Sequence, residues 1–171
     1  MALHDKQKRY LERFFPGLIA AVATLGDGEY LDDRPQMFPA GDGLRGIQLS
    51  LRYLLKDGNG VSITISLRLP NDAAPYVPPV DANDLNPVNL KPWNRLHYAM
   101  NYGTGVVRGK CRFRVDLDES GHHVHLEPDT SEHIPWTEVM PDTRNLDPIK
   151  FVEFVATYRA TKSCPIARSK P

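Results

Sequence analysis

Between residues 46 and 69 apolar and polar positions alternate almost without interruption. Ile47, Leu49, Leu51, Tyr53 and Leu55 form one run; Val61, Ile63, Ile65, Leu67 and Leu69 form a second. A period of two puts each set on one face of a pleated strand, so two strands sharing a buried face are predicted. Gly58-Asn59-Gly60 reads as a three-residue loop between them, a length that keeps both apolar sets on one side. It opposes Leu55 to Ile63 and Tyr53 to Ile65, with Gly60 supplying the left-handed backbone such loops need.

A second hairpin is predicted from about Val106 to Leu117 and from His122 to Glu127. With Ser120-Gly121 as a two-residue turn, Leu117 faces Val124 and Val115 faces Leu126 on an apolar side. The other side then opposes Asp118 to His123, Asp116 to His125 and Arg114 to Glu127.

Helical spacing of Leu3, Tyr10, Leu11, Phe14 and Leu18 predicts an amphipathic helix over residues 5 to 15, ended by Pro16-Gly17. The apolar run from Leu18 to Ala23 is too short for its period to separate strand from helix. Asn94 reads as the cap of a short helix from Arg95 to Asn101, stopped by Gly103. Asp147-Pro148 starts a mostly apolar helix whose polar stripe is Lys150, Glu153 and Thr157. Six of the fifteen prolines lie between Pro70 and Pro92, so residues 70–93 read as a proline-rich loop wrapping the fold. Residues 161–171 read as a frayed tail. The sum is one α+β domain over residues 1–171. Its antiparallel sheet of two β-hairpins, four or more strands, carries the N- and C-terminal helices on one face.

Composition narrows the function classes. Of 171 residues, 41% are hydrophobic and 25% charged, as in ordinary globular domains. Lys+Arg 21 against Asp+Glu 21 leaves no net charge, hence no global attraction to nucleic acid or to an anionic membrane. The charged start lacks the apolar run of a secretory signal, and the longest apolar stretch is too short to span a membrane. Two cysteines make no disulfide framework, and a reducing cytoplasm is the expected compartment.

The candidate chemistry lies on the second hairpin. Asp116, Asp118, His123 and His125 form either a ligand set for a divalent metal or a ladder of cross-strand ion pairs needing no cofactor. Glu132 and His133 lie close enough downstream to add a ligand. In the ladder reading both imidazoles titrate above the reference value of about 6.5. Arg108, Lys110, Arg112 and Arg114 form a basic stripe, joined on the first hairpin by Arg52 and Arg68. Such a stripe fits a phosphate backbone or an acidic protein. The aromatic platform of sheet-type RNA binders is missing, because Tyr53 and Phe113 are in phase with the buried face. Cys111 alternates with Val107, Gly109, Phe113 and Val115 on the apolar side, where a thiol is inert.

The passage Leu67-Arg68-Leu69-Pro70-Asn71-Asp72-Ala73-Ala74-Pro75-Tyr76-Val77-Pro78-Pro79-Val80 resembles the strand and proline-rich crossing of ubiquitin-conjugating enzymes and their inactive relatives. Those proteins also begin with a helix and an antiparallel meander. The resemblance implies Cys111 as thioester nucleophile and His97 as the counterpart of the family's His-Pro-Asn. Tyr98 and Ala99 follow His97, so the asparagine that stabilises the oxyanion is absent, and an inactive relative is what the resemblance implies. Without a complete catalytic set, the leading expectation is a non-enzymatic module that binds another, acidic protein. Its contacts would be Arg108, Lys110, Arg112, Arg114, Tyr76 and Trp93. The alternatives are a metal-binding protein, or metal-dependent enzyme, built on the Asp/His hairpin, and a weak nucleic-acid binder.

Overall fold

A computed structural model describes residues 15–33, 35–40, 43–68, 95–106, 111–118, 120–139, 146 and 148–166. Eight strands form one antiparallel sheet: β1 (Gly28–Asp32), β2 (Pro35–Ala40), β3 (Gly43–Leu55), β4 (Asn59–Arg68), β5 (Arg95–Thr104), β6 (Cys111–Asp118), β7 (Gly121–Leu126) and β8 (Ile134–Pro135). From β3 to β8 each strand pairs with its sequence neighbour, a meander that requires no crossover. β3 is long enough to pair along one edge with both β1, near Tyr53, and β2, near Ile47.

Three helices complete the fold: α1 (residues 15–23), α2 (Trp136–Val139) and α3 (Pro148–Thr161). One apolar face of the sheet carries Leu49, Leu51, Tyr53, Val61, Ile63, Ile65, Tyr98, Met100, Tyr102, Phe113, Val115 and Val124. It forms a single core with Phe15, Leu18 and Val22 of α1 and Phe151, Val152 and Val155 of α3. This is the α+β arrangement the alternation predicts. Phe113 is the hub, with ring centroids 5.5 Å from Phe151, 5.6 Å from Tyr102 and 5.8 Å from Tyr158. The end of α1 is fastened to the sheet by hydroxyls: Tyr30 donates to the Ile19 carbonyl and Tyr53 to that of Gly26.

Four local expectations are corrected. The first helix runs through Pro16-Gly17 and does not stop there, because Phe15, Leu18, Val22 and Leu25 at helical spacing are all buried. The predicted span 5–14 lies outside the described residues. Residues 95–101 are strand, not helix. Tyr98, Met100 and Tyr102 alternate into the core, and pairing with β4 and β6 satisfies the backbone more fully than a two-turn helix would. The tail is anchored as far as Ile166, which is buried in the core.

The fourth correction concerns the first hairpin. Its loop is Lys56-Asp57-Gly58, so Tyr53 faces Val61 and Leu51 faces Ile63. Asp57 accepts a hydrogen bond from the Asn59 amide at 3.0 Å, and Gly58 takes the left-handed φ of 81°. The loop is still three residues long, so the faces remain as predicted while the partners move. Gly60 serves a different purpose: a side chain there would collide with the backbone of Gly105, where Asn59 bridges to the end of β5.

Candidate metal centre

The site begins with a turn. Asp118 accepts from the Ser120 amide at 2.8 Å and from its hydroxyl at 2.6 Å, closing the hairpin one residue earlier than expected. Gly121, with φ 102°, becomes the first residue of β7. Asp116 therefore faces His123 and Arg114 faces His125, while Asp118 faces Gly121. The predicted pairs Asp118–His123 and Arg114–Glu127 do not form, and Asp116 meets His125 diagonally instead of directly opposite it. Glu127 instead pairs with Arg112 at 3.1 Å. One carboxylate, that of Asp116, now stands between two imidazoles.

This cluster is covered: Asp116 is 1% exposed, His123 and His125 5% each, and Arg114 9%. Arg114 donates from Nε to Asp116 Oδ1 at 2.8 Å, and its Nη2 makes an ion-pair contact with Oδ2. Oδ2 is buried, and the Arg114 guanidinium is its charged contact. That oxygen lies 3.3 Å from His125 Nε2 and 3.6 Å from His123 Nε2. On the far side of each ring, Nδ1 of His123 meets the Gly121 carbonyl at 3.1 Å and Nδ1 of His125 meets the Thr130 carbonyl at 2.9 Å. A carbonyl oxygen only accepts, so Nδ1 of each ring carries a proton and Nε2 is the atom turned towards Asp116.

His133 joins from outside. Pairing of β7 with β8, His123 opposite Pro135, brings the preceding residues back over the hairpin. The His133 ring stacks on His123 with centroids 4.5 Å apart and lies 4.6 Å from His125. His123, His125 and His133 offer ligand atoms within 4.8 Å of one another, as do Asp116, Asp118 and His123. The four predicted metal residues thus fall into two triads that share His123, one of them completed by His133, and Asp118 is engaged by Ser120.

Burial is the strongest influence on His125 and pushes its pKa below the ordinary value; Arg114 and His133 add to that, and the Thr130 bond and Asp116 only oppose it. The expectation that pairing would raise it is reversed. Asp118 is held low, chiefly by the Ser120 hydroxyl. His122, the remaining histidine of the hairpin, points to the apolar side. There it stacks on Trp136 at 4.2 Å and shares a 2.6 Å hydrogen bond with the Tyr98 hydroxyl, which itself accepts from the Leu146 amide at 3.2 Å. Sequence reasoning missed this contact, because it lost β5 as a strand.

The basic stripe does not form one surface among the described residues. Arg114 is committed to Asp116, while Arg112 reaches Glu127 and Tyr158. Arg108, Lys110, Tyr76 and Trp93 lie outside the described residues, as does loop 70–93. Cys111 is corrected too. A β-bulge between Tyr102 and Gly103 breaks the phase, and the buried thiol is hydrogen-bonded to Thr130 instead of joining the apolar core. Burial, foremost, raises its pKa. Cys111 pairs with Gly103 and His97 lies one residue beyond the Tyr98–Leu117 pair, so the two stand at opposite ends of the β5–β6 ladder. No helix among the described residues is long and apolar enough to cross a membrane. Comparison with protein-family models, curated proteins and solved structures finds no match to this chain.

Proposed function

We propose that the protein binds a divalent transition-metal ion of the zinc class through Asp116, His123 and His125, with His133 as the outer ligand. One observation carries this reading: the buried carboxylate oxygen Asp116 Oδ2 lies 3.3 and 3.6 Å from the Nε2 atoms of two buried histidines. A carboxylate and two imidazoles converging away from water make a donor set of the kind a zinc-class ion takes. The 3.3 and 3.6 Å from Oδ2 to the two Nε2 atoms lie near the roughly 3.3–3.4 Å between neighbouring corners of a tetrahedron of ligands at about 2.0–2.1 Å.

The surroundings also support it. His123 and His125 each have the second nitrogen fixed by a backbone carbonyl, and the carboxylate is oriented by Arg114, the outer contacts that hold metal ligands in place. Imidazoles with one carboxylate favour zinc and its first-row neighbours over calcium or magnesium. The interaction-module reading draws on Tyr76, Trp93 and a basic stripe, and of these Arg114 is already engaged. Elemental analysis of untagged protein and calorimetric titration of chelator-stripped protein with zinc test the proposal. One ion per chain, lost in His125→Ala, is expected; absence of both metal and binding heat would overturn it.

A further inference from the structure

The proposed ligands differ sharply in their access to water. Asp116, His123 and His125 are buried, whereas His133 is exposed. On that outer side a cavity of about 130 Å³ is lined by Ser120, His122, His123, His133 and Pro135. It borders two of the four ligands and has room for more than a single water-sized group.

Charge points to what would enter. Arg114 offsets Asp116, and neutral imidazoles contribute nothing, so a divalent ion leaves positive charge that Asp118 only partly balances. On the β5 side the Arg114–Asp116 pair lines a second cavity of about 160 Å³, which borders none of the three histidine ligands. Resting on the metal reading, we infer that the bound ion has an exchangeable outer position, reached through the Ser120–His133 cavity, that takes a small anion. The anion either displaces His133 or joins it as a fifth ligand. A zinc-class ion accommodates both, in contrast to a closed structural site.

Cobalt(II) reports on this directly, because its visible absorption follows coordination number and ligand identity. Chelator-stripped protein is loaded with cobalt and titrated with azide. A saturable change in the spectrum is expected. Pro135→Trp, which crowds the cavity from a residue that is not a ligand, should keep the cobalt spectrum and weaken the azide response by about tenfold or more. A bound-cobalt spectrum indifferent to azide overturns the exchangeable position and leaves the metal site standing. Failure to bind cobalt at all removes the metal reading and this inference with it. An azide response equal in Pro135→Trp and wild type overturns the cavity as the route. Should that variant not fold, naphthoate in place of azide decides on wild-type protein: the bulky anion must fail where azide succeeds, and equal responses refute the confined access.

Discussion

Arg114 and Asp116 stand two residues apart on one strand and close a two-pronged ion pair beneath the covered polar face of the sheet. Removing one partner leaves the other buried and uncompensated. Asp116→Asn should therefore destabilise the metal-free protein by about 3–5 kcal/mol, whereas Arg114→Met with Asp116→Leu should cost far less. Urea unfolding in the presence of a chelator separates the two. Both variants should lose zinc binding.

Metal should stabilise the fold in proportion to its saturation. At a hundredfold excess over Kd the gain is about 2.7 kcal/mol, or roughly 5–10 °C in Tm for a domain of this size. Melting curves with zinc and with chelator should differ by that amount in wild type and coincide in His123→Ala and His125→Ala. His122→Ala should retain the shift, because His122 faces Trp136 and not the ion.

Tyr98 supplies a further check on the apolar side. Its hydroxyl is the partner of both His122 Nε2 and the buried Leu146 amide. Tyr98→Phe should cost about 1–3 kcal/mol, the range for orphaning a buried polar group. Equilibrium unfolding measures the loss, and zinc affinity should be unchanged.

Acid should weaken the tie between the first hairpin and α3. Asp57 meets Arg159 at 2.6 Å. Partial burial opposes ionisation, but the Asn59 amide and the Arg159 guanidinium outweigh it and hold the carboxyl below its usual pKa. A depressed folded-state pKa contributes stability above the unfolded value, about 3.9, and loses it as pH falls through the folded one. The stability gap between wild type and Asp57→Asn should be flat from about pH 7 to 5 and shrink below about pH 4. Because the pair is solvent-exposed, the gap itself should stay at or below about 1 kcal/mol.

Which residues share a face was legible in the chain. Alternation over residues 46–69 and through the second hairpin sorted Leu51, Tyr53, Ile63, Phe113 and Val115 from Asp116, His123 and His125, because a pleat repeats every two residues whatever lies beside it. In α3, Phe151, Val152, Phe154 and Val155 fill the buried face, but Ile149 and Ala156 are exposed, so the helix is less covered than its apolar run implied. The candidate ligands, His133 included, were visible as types and spacings.

Tertiary structure decided who meets whom. Asp57 capturing the Asn59 amide and Asp118 capturing that of Ser120 each moved a turn, leaving the faces intact but changing every partner. That small shift placed Asp116 between two imidazoles in place of a one-to-one ladder. β5 could not be read from its own residues, since its hydrogen bonds belong to β4 and β6. The burial of Arg114, the turning of His122 towards Tyr98 and the return of His133 through β8 likewise depend on strands distant in sequence. Local pattern determines a residue's side of the sheet; only the packed neighbours determine its company and its water.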